Sequence, residues 1–301
     1  MFGERDRRRI MTPPSGGDRQ AGMDDLSTVE IDDVVRQAER RLGRRLSREG
    51  VHYSRHNGTA GLRTEAGTWV RLTWRRPTRL VVPSWTGTEQ AAAHVHGVPK
   101  PDWFATVTWA DPDRGVVWKA EETSSAPTGA VSATAEITED PELPEHWWSD
   151  LDRALTTLAS HETDRVALDQ GHLTRRIHEV YGTEVDTRVQ DDSWACAHGD
   201  LGYANVTGPE PMLLDWESWG MAPIGWDAAC LWSASLAVPQ VEERVLAYFA
   251  EPLATRSGTL CRLLLCANIA RTVERTGVKT PLSVRMAQTA GRLLDELAHV
   301  P

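Results

Sequence analysis

One short segment, about two-thirds of the way along the chain, holds the side chains with the clearest chemical use. Asp200 is followed five residues later by Asn205, and Asp215 comes after a turn and a short apolar stretch. Phosphoryl transfer uses such a set. One carboxylate takes the proton of an attacking hydroxyl, while an amide oxygen and a second carboxylate hold the Mg²⁺ that bridges the ATP phosphates. Oxygen ligands suit Mg²⁺, which keeps several waters and needs few protein groups. The spacing therefore predicts a magnesium-assisted phosphoryl-transfer site.

The longer run around these residues resembles the signature of a known family. The matching stretches are His198-Gly199-Asp200-Leu201, Asn205, Asp215-Trp216-Glu217 and Gly225-Trp226-Asp227. They are similar to the motifs of the aminoglycoside phosphotransferase family, which has a protein-kinase-like fold. The resemblance implies that Asp200 is the catalytic base and that Asn205 and Asp215 are the Mg²⁺ ligands. It also implies that His198 braces the catalytic loop and that Asp227 stabilises this loop from the following helix.

The same resemblance extends to the N-terminal part and implies an ATP site there. Gly58 and Gly61 fall where a glycine-rich hairpin would cover the phosphates, because glycine allows close backbone approach, although a plain β-turn fits them equally well. Glu89 opens a helix of the kind the family places in its small lobe. The strand 116–121 would lead into the hinge that meets the adenine, with Glu121 at that hinge.

One departure from the family pattern concerns the lysine that contacts the phosphates. The family has this lysine on the third strand, paired with the helix glutamate, whereas the matching strand here offers Arg71. Lys119 is the rival, but it stands only 81 residues before Asp200, which is too close for the order of the lobes. We therefore expect Arg71 to position the phosphates with Glu89. A guanidinium can hold phosphate in a bidentate manner but does not replace lysine freely, so a weak or inactive kinase-like nucleotide-binding regulatory protein is the alternative.

The charge distribution suggests the chemical class of the phosphate acceptor. Residues 139–230 contain 5 Arg, no Lys and 19 acidic residues, a net charge of -14. A field of one sign concentrates ligands of the other sign, which predicts a small cationic hydroxyl compound such as an aminoglycoside or a related antibiotic. Glu217 and Trp219 flank Asp215 and are the expected contacts to it. A solvated acidic surface is the alternative explanation.

The elements that must position these residues follow an α+β order. Strand-like runs and hairpin signals fill the first 122 residues and amphipathic helices the remainder, which predicts a two-lobed kinase-like protein with a small antiparallel sheet and a helical lobe. We expect a disordered tail over residues 1–23, a nucleotide-binding lobe over 24–122 and a catalytic, substrate-binding lobe over 123–301. The first helix is predicted to begin at Ser27, where Glu30 completes a capping-box pattern.

Composition excludes several other classes of protein. The net charge of -10 argues against a nucleic-acid binder, and no apolar run is long enough to span a membrane. The four cysteines are too few and too scattered for a disulfide framework or a zinc site, and the charged start has no secretory signal. These features predict a cytoplasmic protein with reduced thiols.

Overall fold

The computed structural model describes residues 23–54, 58–80 and 82–299, and the chain divides into two compact units. The first unit combines Met1–Trp85 with Asp102–Ser125, and the second combines Thr86–Pro101 with Ala126–Pro301. The first is built around a sheet and the second around helices, so the α+β class predicted from the order of the elements is confirmed.

A five-stranded antiparallel sheet forms the first unit, with the strands in the order β1-β2-β3-β5-β4. The strands are β1 (His52–Ser54), β2 (Thr59–Arg63), β3 (Trp69–Arg75), β4 (Trp103–Asp111) and β5 (Val116–Thr123). Helix α1 (Asp32–Leu42) precedes them. The sheet is built in this way because apolar residues alternate along β3 and β5, so that each strand has one apolar face.

The two faces of this sheet differ in chemistry. Val70, Leu72 and Trp74 of β3 lie opposite Glu122, Ala120 and Trp118 of β5, and most of these side chains join α1 in an apolar core. The alternate positions of the same strands form the second face. That face carries Arg71, Thr73, Arg75, Lys119 and Glu121, of which all but Arg71 are fully buried. This second face therefore brings three cationic side chains and one carboxylate together.

The second unit is mainly helical. Its helices are α2 (Gly87–His94), α3 (Glu145–Ala159), α4 (Gln170–Tyr181), α5 (Trp226–Ser235), α6 (Pro239–Tyr248), α7 (Ala250–Ala254), α8 (Arg256–Thr276) and α9 (Pro281–His299). A two-stranded antiparallel sheet, β6 (Trp194–Ala197) with β7 (Gly220–Pro223), holds the loops between the helices. Large buried side chains such as Trp147, Trp148 and Trp232 fill the core, which makes this unit a rigid support for its loops.

Three boundaries differ from those predicted. Helix α2 and residues 86–101 belong to the second unit, whereas the sequence placed them in the nucleotide-binding lobe, because Ala91, Val95 and Val98 pack into the helical core. Most of the predicted tail lies outside the described residues, but Met23 is buried and its carbonyl accepts a hydrogen bond from the Trp74 indole.

The start of α1 is the third difference. The helix begins at Asp32 rather than Ser27, because the Asp25 carboxylate caps a separate short turn over residues 26–28. Among the described residues, none of the helices is both long enough and apolar enough to cross a lipid bilayer.

Candidate active site

The loop that follows β6 is held by a buried carboxylate from the helix after β7. One oxygen of Asp227, near the start of α5, accepts a hydrogen bond from the His198 backbone N–H at 2.7 Å, and the other accepts from the Gly199 N–H at 3.0 Å. Burial raises the pKa of the Asp227 carboxyl group, while the two N–H donors act in the opposite direction. Asp227 therefore fixes the backbone immediately before Asp200.

His198 is buried and links this loop to the segment before Asp215. Its Nε2 donates to the carbonyl oxygen of Leu214 at 2.7 Å, and its ring packs edge-on against Trp216. Because a carbonyl only accepts hydrogen bonds, Nε2 carries the proton in the neutral ring. No hydrogen-bond partner for Nδ1 is present in the described part of the chain. His198 thus connects the two ends of the motif and does not itself reach solvent.

Asn205 brings the remaining polar groups together. Its amide Nδ2 donates to the Asp200 backbone oxygen at 2.8 Å and lies 3.4 Å from Asp200 Oδ2. Its backbone oxygen accepts from the Leu214 N–H at 2.8 Å, directly before Asp215. The turn that joins the two segments closes with a bridge between Val206 and Leu213. The short spacing between Asn205 and Asp215 is explained by this tight hairpin.

Asp215 has an uncommon backbone conformation. Its φ is +58°, in the left-handed region that residues other than glycine seldom adopt. Its side chain is exposed, whereas Trp216 and Glu217 that follow it are buried. Local strain of this kind often accompanies functional side chains that must point in a fixed direction.

The electrostatics of Asp200 reflect its neighbours. The carboxylate reaches solvent but is closely surrounded by protein, and this loss of hydration, followed by the negative charge of Asp215, raises the pKa of Asp200 to about 6. Glu217 and Asp227 act in the same direction, and His198 acts in the opposite one. A carboxylate with a raised pKa is a better proton acceptor than an ordinary aspartate.

These groups fit a magnesium ion that also binds phosphate. Asp200, Asn205 and Asp215 offer hard oxygen atoms on one loop and its neighbouring turn. In the part of the chain that the structure describes, no three His, Cys, Asp or Glu side chains converge as a self-contained metal site. Mg²⁺ is commonly held by one or two carboxylates together with substrate phosphates, so this sparse set suits it.

Glu217 and Trp219 do not form the exposed acceptor contact expected from the sequence. Trp219 is fully buried, its indole N–H donates to the Gly87 carbonyl at 2.8 Å, and the Arg165 guanidinium lies over its ring. Glu217 is buried as well, although it is near enough to raise the pKa of Asp200. The predicted contact between Trp219 and the acceptor is wrong because this side chain is buried in the core of the second unit.

Arg165 is a positioning residue that sequence reasoning missed. Its guanidinium donates to the backbone oxygens of Trp219 and Glu217, each at 2.9 Å, and to the Gln90 side chain of α2 at 2.8 Å. Trp226 was also missed in this role, and its indole N–H donates to the Gly199 oxygen at 3.1 Å. No motif marks Arg165, since it lies in a loop far from the segment that it holds.

The first unit holds the residues expected to bind the nucleotide, and several of their settings differ from the expectation. The Glu121 backbone lies on a central strand, opposite Arg71 on one side and Thr106 on the other, so it has no free edge for an adenine. The predicted hinge role of Glu121 is therefore wrong. Its carboxylate lies instead 2.8 Å from the ammonium of Lys119.

Glu122, next in the strand, faces the other side of the sheet. Its Oε1 accepts hydrogen bonds from Arg44 at 2.8 Å and from Thr68 at 2.7 Å. Glu89 is exposed on α2 in the second unit and forms neither an ion pair nor a hydrogen bond with any described residue. Arg71 and Glu89 therefore belong to different units, and their joint contact with the phosphates stays a prediction.

The two glycines of the first hairpin have different settings. Gly58 has a φ of +57°, as a turn glycine should, and Asn57 beside it lies outside the described residues. Gly61 lies inside β2 beneath the Trp69 indole, where an added Cβ would come within 2.0 Å of the ring. The lack of a side chain at Gly61 therefore makes room for the Trp69 indole. This packing explains why a glycine is needed here, without a role in phosphate binding.

Solved structures of small-molecule kinases share this architecture. The amicoumacin kinase hAmiN, in complex with AMP-PNP, Ca²⁺ and Ami, superposes with a TM-score of 0.56 at 13% identity over 89% of this chain and 93% of that one. Choline kinase LicA from Streptococcus pneumoniae gives a TM-score of 0.55 at 13% identity over 90% and 99% of the two chains. The chain has the fold of these kinases.

The comparison fixes the fold and leaves the acceptor open. A protein from Ralstonia eutropha, provisionally assigned as an aminoglycoside phosphotransferase, also matches with a TM-score of 0.53 and 14% identity over 88% of this chain and 97% of that one. No protein-family model and no curated sequence matches this chain. The two-lobed kinase-like fold implied by the motifs is confirmed, at identities too low to carry over a substrate.

Proposed function

We propose that this protein is an ATP- and Mg²⁺-dependent phosphotransferase that acts on a hydroxyl group of a small molecule. The observation that carries this proposal is the convergence of Asp200, Asn205 and Asp215 on one loop, which the buried Asp227 holds by two backbone hydrogen bonds. Phosphoryl transfer depends on positioning and on stabilisation of charge, which are the two tasks that such a rigid, oxygen-rich loop performs.

Each residue has a separate task in this mechanism. Asp200 accepts the proton of the acceptor's hydroxyl group while the oxygen of that hydroxyl group bonds to the γ-phosphorus. The bond between the γ-phosphorus and the β–γ bridging oxygen breaks, and ADP is released. Asn205 and Asp215 would hold Mg²⁺, which supplies positive charge to the phosphate oxygens when it is bound. His198 and Asp227 keep the loop in place. On the sheet, the positively charged face that includes Arg71 would contact the phosphates.

The decisive experiment is a screen of hydroxylated metabolites and antibiotics for ADP release with a phosphorylated product of matching mass. With an accepted compound, Asp200→Asn should lower kcat by about 100-fold or more, since general base catalysis contributes about 10²–10⁴. Asp113→Asn, which alters an exposed aspartate of the first unit, is the control and should keep full activity. Unchanged phosphoryl transfer by Asp200→Asn would refute the assignment.

A second candidate function is a regulatory protein that binds nucleotide without catalysis. The arginine in place of lysine on β3 favours it. Both candidates predict that Mg²⁺ with ATP raises the melting temperature of the protein. Only the enzyme yields ADP in equal amount to a phosphorylated compound, so stoichiometric product separates the two.

We further propose that the acceptor is a cation. The net charge of -14 over residues 139–230 and the exposed carboxylates Asp200 and Asp215 support an attraction to ammonium groups. Salt screens such attraction, so the KM for a true cationic acceptor should rise as ionic strength increases from low to physiological. Efficient turnover of a neutral or anionic acceptor with no salt dependence would count against a cationic acceptor.

A further inference from the structure

The polar face of the first unit holds an ion pair that the sequence did not suggest. The Lys119 ammonium lies 2.8 Å from Glu121 Oε2, and the two side chains are 1% and 3% exposed. They stand two residues apart on β5, on the same face as Arg71, Thr73 and Arg75 of β3. A charge pair this deeply buried is costly to desolvate, and its partial replacement is more costly still, so its presence calls for an explanation.

The register of the strands places Lys119 beside β3, the strand on which Arg71 stands in place of the expected lysine. Thr73 and Lys119 are directly opposite each other on β3 and β5. Side chains that face each other across antiparallel strands start only about 5 Å apart. A lysine at position 119 therefore reaches the same region of this face that a lysine from β3 would reach. The carboxylate partner lies on the same strand, since Glu121 of β5 provides it.

The Lys119 ammonium contacts fewer acceptors among the described residues than it has N–H groups. Nζ donates to the Trp85 backbone oxygen at 2.7 Å and lies 4.8 Å from the centre of the Trp85 indole. An ammonium carries three N–H groups. Besides Trp85 and Glu121, no acceptor in the described ranges contacts Nζ. A buried ammonium with one N–H group lacking an acceptor is suited to an anionic oxygen.

We propose that Lys119, held by Glu121, is the cation that contacts the nucleotide phosphates, in place of a lysine on β3. The inference rests on the proposed function and names the residue that performs one of its tasks. Because the Trp85 indole covers Nζ, it shifts when the nucleotide binds, and a phosphate oxygen then accepts from the N–H group that has no acceptor in the described ranges. A hydrogen bond between an ammonium and an anionic oxygen is stronger than one to a neutral carbonyl.

The scarcity of lysine makes a direct test possible on the unaltered protein. The chain has only three lysines, Lys100, Lys119 and Lys279, so ¹⁵N labelling of lysine side chains gives at most three Nζ signals. Lys119→Arg identifies the signal of Lys119. Saturating AMP-PNP with Mg²⁺ should shift that signal. Binding of AMP-PNP without a shift would overturn the inference and leave the proposed function standing, whereas no binding at all would count against both.

Affinity measurements on variants give an independent readout. Lys119→Met leaves a buried carboxylate and risks misfolding, so the double variant Lys119→Met/Glu121→Gln removes both charges together. Its Kd for AMP-PNP with Mg²⁺, measured by calorimetry, should rise at least tenfold. The matched control Arg44→Met/Glu122→Gln removes the ion pair on the opposite face of the same sheet, and it should keep the wild-type Kd. A folded double variant with wild-type affinity would show that the Lys119–Glu121 pair is purely structural.

Discussion

Among single residues, Asp227 illustrates how a group that need not touch substrate can govern the candidate site. Its two carboxylate oxygens satisfy the backbone N–H groups of His198 and Gly199, and these two residues set the direction of Asp200. Its side chain is only 7% exposed, so water cannot replace it easily. The position of Asp200, the proposed catalytic base, thus depends on an acceptor 27 residues further along the chain.

Replacing Asp227 by alanine should therefore harm both stability and activity. Two buried N–H groups would lose their acceptor, and we expect the free energy of unfolding to fall by about 2 kcal/mol or more. Asp227→Asn keeps one oxygen acceptor and should lose less. Thermal and urea unfolding together with kcat for an accepted substrate measure both effects. An Asp227→Ala protein with wild-type stability would show that the loop is held by other contacts.

Among the elements, helix α2 is joined directly to the segment that carries Asp215. The Gly87 carbonyl accepts from the Trp219 indole, and Gln90 is bonded by Arg165, which also holds the backbone oxygens of Glu217 and Trp219. A Cβ at Gly87 would come within 2.4 Å of the Glu217 oxygen and 2.5 Å of the Trp216 oxygen. The start of α2 therefore packs backbone against backbone on the residues that follow Asp215.

This contact predicts that Gly87→Ala weakens magnesium binding. The added methyl group must push the segment after Asp215 away, at a cost of about 1–3 kcal/mol in stability. The Mg²⁺ concentration that gives half-maximal activity should rise severalfold. Gly291→Ala, in a helix where nothing lies within 4 Å of the new Cβ, is the matched control and should be neutral or slightly stabilising. Equal magnesium dependence in both variants would refute this role of α2.

At the scale of the whole molecule, the division into units does not follow the order of the chain. Residues 86–101 lie between β3 and β4 in sequence, yet they belong to the helical unit. Val95 is fully buried in the core of that unit, and Leu72 is fully buried in the core of the sheet unit. Each unit is thus built from two separate segments of the chain, and a segment of the other unit lies between them in sequence.

Hydrogen exchange can test this division. Val95→Ala removes two methyl groups from the helical core, at a cost of about 1.6 kcal/mol for the lost burial alone. It should speed exchange in α3 and α5 more than in strands β1–β5. Leu72→Ala should have the opposite pattern. If Val95→Ala loosened the sheet more than the helices, residues 86–101 would belong with the first unit after all.

The sequence by itself determined the general order of the elements and predicted the chemistry proposed for the loop. The spacing of Asp200, Asn205 and Asp215 predicted a compact set of oxygen ligands. Asn205 hydrogen-bonds to the Asp200 carbonyl and to the Leu214 N–H next to Asp215, and the role of the three as ligands stays a prediction. Alternating and helical apolar patterns predicted strands first and helices afterwards, as observed. Such features are local, since turn residues, short spacings and periodic patterns act within a few residues of one another.

Only the tertiary structure decided which distant residues become partners. Trp219 was predicted to contact the acceptor beside Asp215. In the folded chain its indole is buried, and the indole N–H donates to the carbonyl of Gly87, 132 residues earlier. Glu89 was predicted to pair with a phosphate-binding cation, but the pleat of β5 puts Lys119 and Glu121 on one buried face 2.8 Å apart, and the register of β3 places Thr73 and Arg71 opposite them. Strand register and helix docking follow from the packing of whole apolar faces, a property of the folded chain that no short stretch of sequence contains.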